Sequence, residues 1–141
     1  MKKIYEKYKE QILYLIFGGL TILISLAVYY VLNKRWGESD IAVTAAYVLS
    51  WTAGATFAYV TNKIFVFESK IKGFKALARE TISFFAARLA TLIISYLGLM
   101  LLKKLFPTVN TNIFNFIMQI IVIILNYVAS KLFIFKGEKT K

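Results

Sequence analysis

Charged residues divide the chain into four long apolar segments. No Asp, Glu, Lys or Arg occurs in residues 11–33, 41–62 or 105–130, and residues 81–102 contain only one, Arg88. An α-helix rises about 1.5 Å per residue, so roughly 20 apolar residues cross the hydrocarbon core of a bilayer. The pattern therefore predicts four transmembrane helices, at about residues 11–32, 41–62, 81–102 and 111–130. Burial in a large soluble protein would give a similar pattern, but 141 residues cannot enclose four such helices.

The composition predicts a single all-α membrane domain over residues 1–141. Hydrophobic residues make up 59% of the chain, whereas soluble domains are usually about half apolar. The longest polar stretch, residues 63–80, is too short to bury a core of its own. Residues 11–32 are longer than the apolar region of a signal peptide, so we expect the first helix to be retained.

The distribution of basic residues predicts the orientation in the membrane. Lys and Arg are enriched in cytoplasmic loops. Of the 18 basic residues, 13 lie in the N-terminal segment, the middle loop and the C-terminal segment, whereas four lie in the other two loops. The larger group is Lys2, Lys3, Lys7, Lys9, Lys63, Lys70, Lys72, Lys75, Arg79, Lys131, Lys136, Lys139 and Lys141, and the smaller is Lys34, Arg35, Lys103 and Lys104. We expect both termini to be cytoplasmic in a multi-pass protein of the cytoplasmic membrane. Attraction to anionic membrane lipids accounts for the net charge of +11 without a nucleic-acid partner.

An internal repeat links the two halves of the chain. The segment YVTNKIFVF at residues 59–67 recurs as YVASKLFIF at residues 127–135, and a weaker match joins residues 21–25 to residues 91–95. Each copy contains two predicted crossings, so both copies enter the membrane from the same side. The sequence therefore predicts two helical hairpins in parallel orientation, related by an axis along the membrane normal.

Arg88 is the most informative polar residue of the predicted spans. A charged side chain near the middle of a bilayer costs roughly 2.5–3.5 kcal/mol on insertion scales. Arg88 could extend its side chain to the cytoplasmic interface and act as an anchor. Alternatively, because no carboxylate falls within the four predicted spans, it binds an anionic ligand, and its planar guanidinium suits a phosphate.

Other polar residues line helix faces and the repeated helix ends. Helix 3 places Thr81, Phe84, Arg88, Thr91 and Ser95 on one stripe, and helix 4 places Asn115, Gln119, Asn126 and Ser130 on another. The two stripes predict a polar seam, which either binds a ligand or only holds the helices together. The equivalent Lys63 and Lys131 are interpreted either as interfacial anchors or as groups that bind a lipid head group.

Several kinds of chemistry are not expected. The chain has no Cys and no His, which removes thiolate chemistry and the usual general base and metal ligand. It has no glycine-rich phosphate loop, and its seven acidic residues form no evident pair or cluster. We therefore expect no enzymatic activity, cofactor or metal. A proton-coupled exporter is also disfavoured, because such pumps generally need a carboxylate within the membrane.

These features resemble the GtrA-like family over roughly residues 11–135. The resemblance rests on four spans, on the helix-end motif of Asn62, Lys63, Phe65 and Phe67 with its second copy, and on Phe84 and Arg88 in helix 3. The family often carries an Asn-Phe-x-x-Asn pattern at each repeat end. Here the first copy has Ala58 and Asn62 at the two asparagine positions, and the second has Asn126 and Ser130. Each copy retains one asparagine at a non-equivalent position, which argues against a symmetric role.

The resemblance implies that the protein translocates a polyprenyl-phosphate-linked sugar for glycosylation of cell-wall or surface polysaccharide. Arg88 would then bind the phosphate, and Asn62 and Asn126 would donate hydrogen bonds to the phosphate or sugar. Phe84 and Phe67 would line the path of the isoprenoid chain. The alternative is a non-transporting subunit that anchors or stabilises a glycosyltransferase. Because four helices form a thin wall around such a substrate, we also expect a homo-oligomer.

Overall fold

The structure, a computed structural model, describes residues 2–37 and 39–135 and is helical throughout these ranges outside the short connections. The helices are α1 (Lys2–Trp36), α2 (Asp40–Thr61), α3 (Phe74–Leu105) and α4 (Thr111–Ala129). A π-helical turn extends α2 over Asn62–Val66, and a second one extends α4 over Ser130–Ile134. The all-α prediction is confirmed. The predicted cytoplasmic lysines at positions 136, 139 and 141 lie outside the described residues.

All four helices are long and apolar enough to cross a membrane, as predicted. The candidate spans are Glu6–Trp36, Asp40–Val66, Phe74–Leu105 and Thr111–Ile134. α1 begins at Lys2 and α3 at Phe74, ahead of the predicted membrane-spanning segments at about residues 11–32 and 81–102. Gaps between charged residues mark where a helix can contact hydrocarbon, but Lys, Glu and Arg are good helix formers that continue the helix into the polar region.

Local sequence explains where the helices begin. The Ser39 side chain accepts a hydrogen bond from the Ala42 N–H at 3.3 Å and caps α2, and the Asn110 side chain accepts one from the Asn112 N–H at 2.9 Å and caps α4. Such caps satisfy N–H groups that have no partner within the helix. Gly73 precedes α3 with a φ of 96°, a conformation that favours glycine.

The chain divides into two compact units, Met1–Ser69 and Lys70–Lys141. In the first unit, α1 packs against α2 and the first π-helical turn. Gly54 allows close approach here, because a Cβ at this position would clash with the Ser25 hydroxyl and lie 3.2 Å from the Thr21 carbonyl oxygen. In the second unit, α3 packs against α4 and the second π-helical turn. Each unit is therefore a helical hairpin.

The two hairpins share local structure at equivalent positions. The two π-helical turns lie 68 residues apart, at the two copies of the repeated segment. Tyr14 contacts Phe67 with a ring-centroid distance of 6.4 Å, and Phe84 contacts Phe135 at 6.0 Å. Tyr14 and Phe84 are related by the offset of 70 residues that joins residues 21–25 to residues 91–95. The two hairpins thus make equivalent contacts at positions where their residues are not identical. The parallel orientation of the hairpins in the membrane stays a prediction.

Large aliphatic side chains cover the outer faces of the helices. Leu23 on α1 is 62% exposed and Leu97 on α3 is 60% exposed. Such exposure is unfavourable in water over so many residues, and it is expected where helices contact lipid. The chain is a multi-pass membrane protein.

Candidate functional site

The second hairpin brings together three of the residues predicted to form a site. The Arg88 guanidinium carbon lies 5.1 Å from the centroid of the Phe84 ring. The Thr91 hydroxyl, one turn further along α3, lies 3.0 Å from the Asn126 side-chain oxygen on α4 and 3.0 Å from the Arg88 carbonyl oxygen, so its one O–H is shared between these two acceptors. Arg88, Phe84 and Asn126 therefore lie on or against one stripe of α3, and we call these three residues with Thr91 the polar cluster.

The residues of the polar cluster differ in how far they are buried. Phe84 is 1% exposed and Asn126 is 3% exposed, whereas Arg88 is only partly buried. The Phe84 ring packs edge-on against Phe85 and also contacts Phe135, so it is held from two sides. A cation above an aromatic ring is attracted to its negative face, more strongly where water is excluded. Phe84 thus directs the Arg88 side chain towards the N-terminal end of α3. The role of Phe84 in lining the path of an isoprenoid chain stays a prediction.

Asn126 lies in α4, four residues before the second π-helical turn begins at Ser130. Its backbone carbonyl accepts a hydrogen bond from the Ser130 N–H, the first residue of the second π-helical turn, and the Phe135 N–H donates to the Ser130 carbonyl at 2.9 Å. π-helical turns within α-helices are rare and are frequent at functional sites. Here the turn begins four residues after the buried asparagine and is followed by Phe135, which contacts Phe84.

The first hairpin holds the other predicted residues. Asn62 begins the first π-helical turn and is 2% exposed. The Lys63 amine lies 3.5 Å from the Ser69 hydroxyl, and the Phe67 ring contacts Tyr14. Asn62 and Asn126 thus belong to different hairpins and to different positions relative to the π-helical turn. The expected asymmetry between the two asparagines is visible in the structure.

The side chains of the two equivalent lysines contact different groups. The Lys131 amine lies 3.1 Å from the Tyr127 hydroxyl and 5.4 Å from the centroid of the Tyr127 ring, one turn earlier on the same helix. Lys63 instead reaches forward to Ser69 in the loop that follows its helix. Amphipathic basic and aromatic side chains of this kind are typical of membrane interfaces. Their roles as anchors or as head-group ligands remain alternatives.

Glu80 is a residue that the sequence reasoning missed. It was assigned to the polar loop, but it lies inside α3 and is 3% exposed. Glu80 precedes the predicted span of residues 81–102 by one residue, and the structure includes it in α3 because the helix begins at Phe74. A signal was available, since Glu80, Phe84 and Arg88 follow at steps of four and so share one helix face.

The predicted polar seam is shorter than expected. Asn126 and Ser130 are buried, whereas Asn115 and Gln119 are exposed. In the first half of α4 the buried positions are Phe114 and Met118, and Met118 occupies the space beside Gly98 of α3. The seam is therefore confined to the end of the hairpin that carries Thr91 and Asn126. Among the described residues, no group of three or more acidic, His or Cys side chains could hold a metal ion.

Comparison with known proteins decides the family. Residues 13–135 match the family described as GtrA/DPMS, transmembrane domain. The chain belongs to this family. The GtrA/DPMS match covers both hairpins and all four helices, so the resemblance inferred from the repeated helix ends is confirmed.

Three relatives show how far the similarity to GtrA/DPMS proteins extends. The chain is 40% identical over 132 residues to the cell wall teichoic acid glycosylation protein GtcA of Listeria monocytogenes, covering 91% of this chain and 86% of the relative. It is 39% identical over 136 residues to the Listeria innocua protein of the same name, with the same shares covered. It is 34% identical over 127 residues to the uncharacterized membrane protein YwcD of Bacillus subtilis, covering 90% and 97%. No solved structure matches the chain significantly.

Proposed function

We propose that the protein moves a polyprenyl-phosphate-linked sugar across the cytoplasmic membrane, where it serves the glycosylation of a cell-wall polymer. Membership of the GtrA/DPMS family and similarity to relatives named for teichoic acid glycosylation support a role in cell-wall glycosylation. The observation that carries the finer proposal is the polar cluster of the second hairpin, in which a partly buried arginine lies beside a buried asparagine-threonine pair.

The chemistry of the polar cluster fits the junction between a lipid and a sugar. A phosphodiester carries one negative charge, and a guanidinium binds phosphate oxygens through two parallel N–H bonds. The Asn126 side-chain oxygen accepts a hydrogen bond from the Thr91 hydroxyl at 3.0 Å. The amide N–H groups of Asn126 would then donate hydrogen bonds to the ligand. The Arg88 side chain, positioned over Phe84, would bind the phosphate, and the lipid chain would remain among the apolar faces of the helices.

In this proposal the protein binds and passes its substrate without chemical change. Substrate movement follows the concentration gradient of the lipid carrier between the two leaflets. Glycosyltransferases make the lipid-linked sugar on one side and use it on the other. Homo-oligomer formation would widen the path for the lipid-linked sugar.

Reconstitution tests the proposal. Purified protein in liposomes that contain a fluorescent or radiolabelled polyprenyl phosphate hexose is compared with protein-free liposomes, and the lipid in the outer leaflet is measured by an impermeant sugar-oxidising reagent. We expect the reagent to reach the labelled lipid of both leaflets only when the protein is present. Protection of half of the lipid at all protein levels would contradict transport. It would favour the non-transporting subunit, especially if the protein still co-purified with a glycosyltransferase.

A further inference from the structure

Two carboxamide side chains lie on the outer surface of α4, in a helix that is otherwise largely apolar. Asn115 and Gln119 are both exposed. They follow Thr111, the first residue of α4, by four and eight residues, which places them about 6 and 12 Å into the helix. The segment Thr111–Ile134 is long and apolar enough to cross a membrane. Gln119 is therefore expected at the depth of the hydrocarbon core, with Asn115 one turn closer to its edge.

Neither carboxamide is satisfied within the second hairpin. Among the residues that the structure describes, no hydrogen bond joins the side chain of Asn115 or Gln119 to another group. The exposed threonines of α2 differ, because the hydroxyls of Thr52 and Thr56 each donate to a carbonyl oxygen one turn earlier in their own helix at 2.8 Å. Hydrocarbon contains no water to satisfy a carboxamide, and polar side chains of membrane spans hydrogen-bond across helices. We call Asn115, Gln119 and Ile123, which follow at steps of four, the amide face of α4.

The sequence indicates which partner can satisfy the amide face. The other three apolar segments supply no carboxamide, because residues 12–32, 41–61 and 74–109 contain neither Asn nor Gln. A second copy of the chain, inserted in the same orientation, has the same two carboxamides at the same depth. A carboxamide both donates and accepts hydrogen bonds, so two identical ones are complementary to each other. Contact of one surface with itself is the arrangement that a two-fold axis produces.

We propose that the amide face of α4 is the interface of a homodimer, in which the α4 helices of two copies pack about a two-fold axis along the membrane normal. Gln119 of one copy then hydrogen-bonds Gln119 of the other, and the two copies of Asn115 pair one turn away. This inference goes beyond the proposed function and does not depend on transport. It gives the homo-oligomer expected from the sequence a specific contact surface.

Disulfide crosslinking tests the position of the interface. In a chain without cysteine, a single introduced cysteine can form a disulfide only with another molecule. Ile123 on the amide face is 39% exposed, and Ile117, on the opposite side of α4, is 41% exposed. Ile123→Cys and Ile117→Cys are therefore matched in residue type and exposure, and both keep the two carboxamides. After oxidation of each purified variant in liposomes, we expect a disulfide-linked dimer from Ile123→Cys and a monomer from Ile117→Cys on a non-reducing gel.

A second measurement tests the carboxamides themselves. Energy transfer between donor-labelled and acceptor-labelled copies in liposomes, followed over a range of protein-to-lipid ratios, gives the Kd of the dimer. The double variant Asn115→Leu with Gln119→Leu should raise this Kd by about tenfold, since each interhelical hydrogen bond that is lost weakens association about threefold. Thr52→Val is the control, because it also removes an exposed polar group from a span. Its hydroxyl is bonded within its own helix, so the Kd should not change.

Each competing explanation gives a different result. Equal crosslinking of Ile123→Cys and Ile117→Cys would indicate random collision, and no crosslinking of Ile123→Cys would indicate that the amide face is covered within one chain; either result overturns the dimer interface. An unchanged Kd in the double leucine variant overturns it as well, and a loss of transport by that variant at an unchanged Kd would assign the carboxamides to the transported ligand. If the double variant does not fold, the crosslinking pair alone decides. Failure of transport in the wild type would leave these results intact, because neither measurement uses activity.

Discussion

The two hairpins have similar frameworks and different interiors. In each, an aromatic residue of the first helix contacts the last aromatic residue of the repeated segment, as Tyr14 contacts Phe67 and Phe84 contacts Phe135. The turn after that aromatic residue differs, because the first hairpin has Gly18 where the second has Arg88 at the offset of 70 residues. The shared contacts define the hairpin, and the differing position gives one copy a charge within its span.

The second helices of the hairpins, α2 and α4, also differ in the polarity of an equivalent residue. Ala58 of the first hairpin corresponds to Asn126 of the second at the offset of 68 residues, and both are buried. In the first hairpin, buried contact between α1 and α2 includes Gly54 against Thr21 and Ser25. Close packing of small residues holds helices together in lipid, where there is no hydrophobic drive between them. In the proposed function, the second hairpin would supply the polar cluster, and close packing of small residues would hold the helices of the first hairpin together.

The largest expected effect is all-or-none and tests on which side of the membrane the loops of the predicted topology lie. Single cysteines at Lys70 and Thr108, both exposed and outside the helices, are suitable in a chain without cysteine. Gly37, which follows α1, and Gly73, which precedes α3, are unsuitable, because their φ values of 83° and 96° favour glycine. With an impermeant thiol reagent on intact cells, we expect labelling of Thr108→Cys, and of Lys70→Cys only after permeabilisation. The reverse pattern would invert the predicted topology.

The next effect concerns the charge that distinguishes the second hairpin. Arg88→Gln keeps hydrogen-bonding capacity but removes the charge, and we expect transport in liposomes to fall by about 100-fold, since loss of a charged, partly desolvated contact costs about 3 kcal/mol. Arg88→Lys should restore little, because an ammonium cannot form the bidentate contact.

The equivalent position of the first hairpin supplies the control. Gly18→Ala should transport normally, since a Cβ at Gly18 would meet nothing within 4 Å. Normal transport by Arg88→Gln at equal protein level would reduce Arg88 to an interfacial anchor. It would also remove the functional difference between the two hairpins.

A smaller effect tests the packing of the first hairpin. Gly54→Val should destabilise the protein by about 1–3 kcal/mol, because a larger side chain would displace Ser25 and press on the Thr21 backbone. The measurement is unfolding in mixed detergent micelles followed by circular dichroism. Gly98→Ala is the comparison in the second hairpin, and it should cost less, because the group it meets is the flexible end of Met118. Equal stability of Gly54→Val and wild type would show that α1 and α2 do not depend on this close approach.

The sequence predicted the number of helices, the repeat and the family, because long uncharged segments and a repeated motif are properties of the chain itself. It could not predict how far each helix extends, since helix formation continues through charged residues once a helix is nucleated. Glu80 was assigned to a loop for that reason. The π-helical turns were also not predicted, because YVTNKIFVF and YVASKLFIF carry no feature that distinguishes an i→i+5 bond from an ordinary helical one.

The smallest effect tests the hydrogen bond that the first hairpin lacks. The Thr91 hydroxyl lies 3.0 Å from the Asn126 side-chain oxygen on the other helix and 3.0 Å from the Arg88 carbonyl oxygen on its own helix, whereas the Thr21 hydroxyl donates to the Phe17 carbonyl of its own helix at 2.8 Å. Interhelical bonds in membrane proteins contribute about 0.6 kcal/mol on average. A double-mutant cycle of Thr91→Val and Asn126→Ala, measured by unfolding in mixed micelles, should therefore give a coupling energy of about that size.

The control for this cycle is a second pair of residues whose substitutions should not couple. The Thr81 hydroxyl bonds the Leu77 carbonyl at 2.9 Å, and it lies about 15 Å along α3 from Thr91. Thr81→Val and Asn126→Ala should be additive within about 0.3–0.5 kcal/mol. If Thr91 and Asn126 were equally additive, their bond would contribute nothing to holding the hairpin together. If Asn126→Ala then still reduced transport while stability was unchanged, the asparagine would act on the ligand alone, and the difference between the hairpins would be one of binding rather than of assembly.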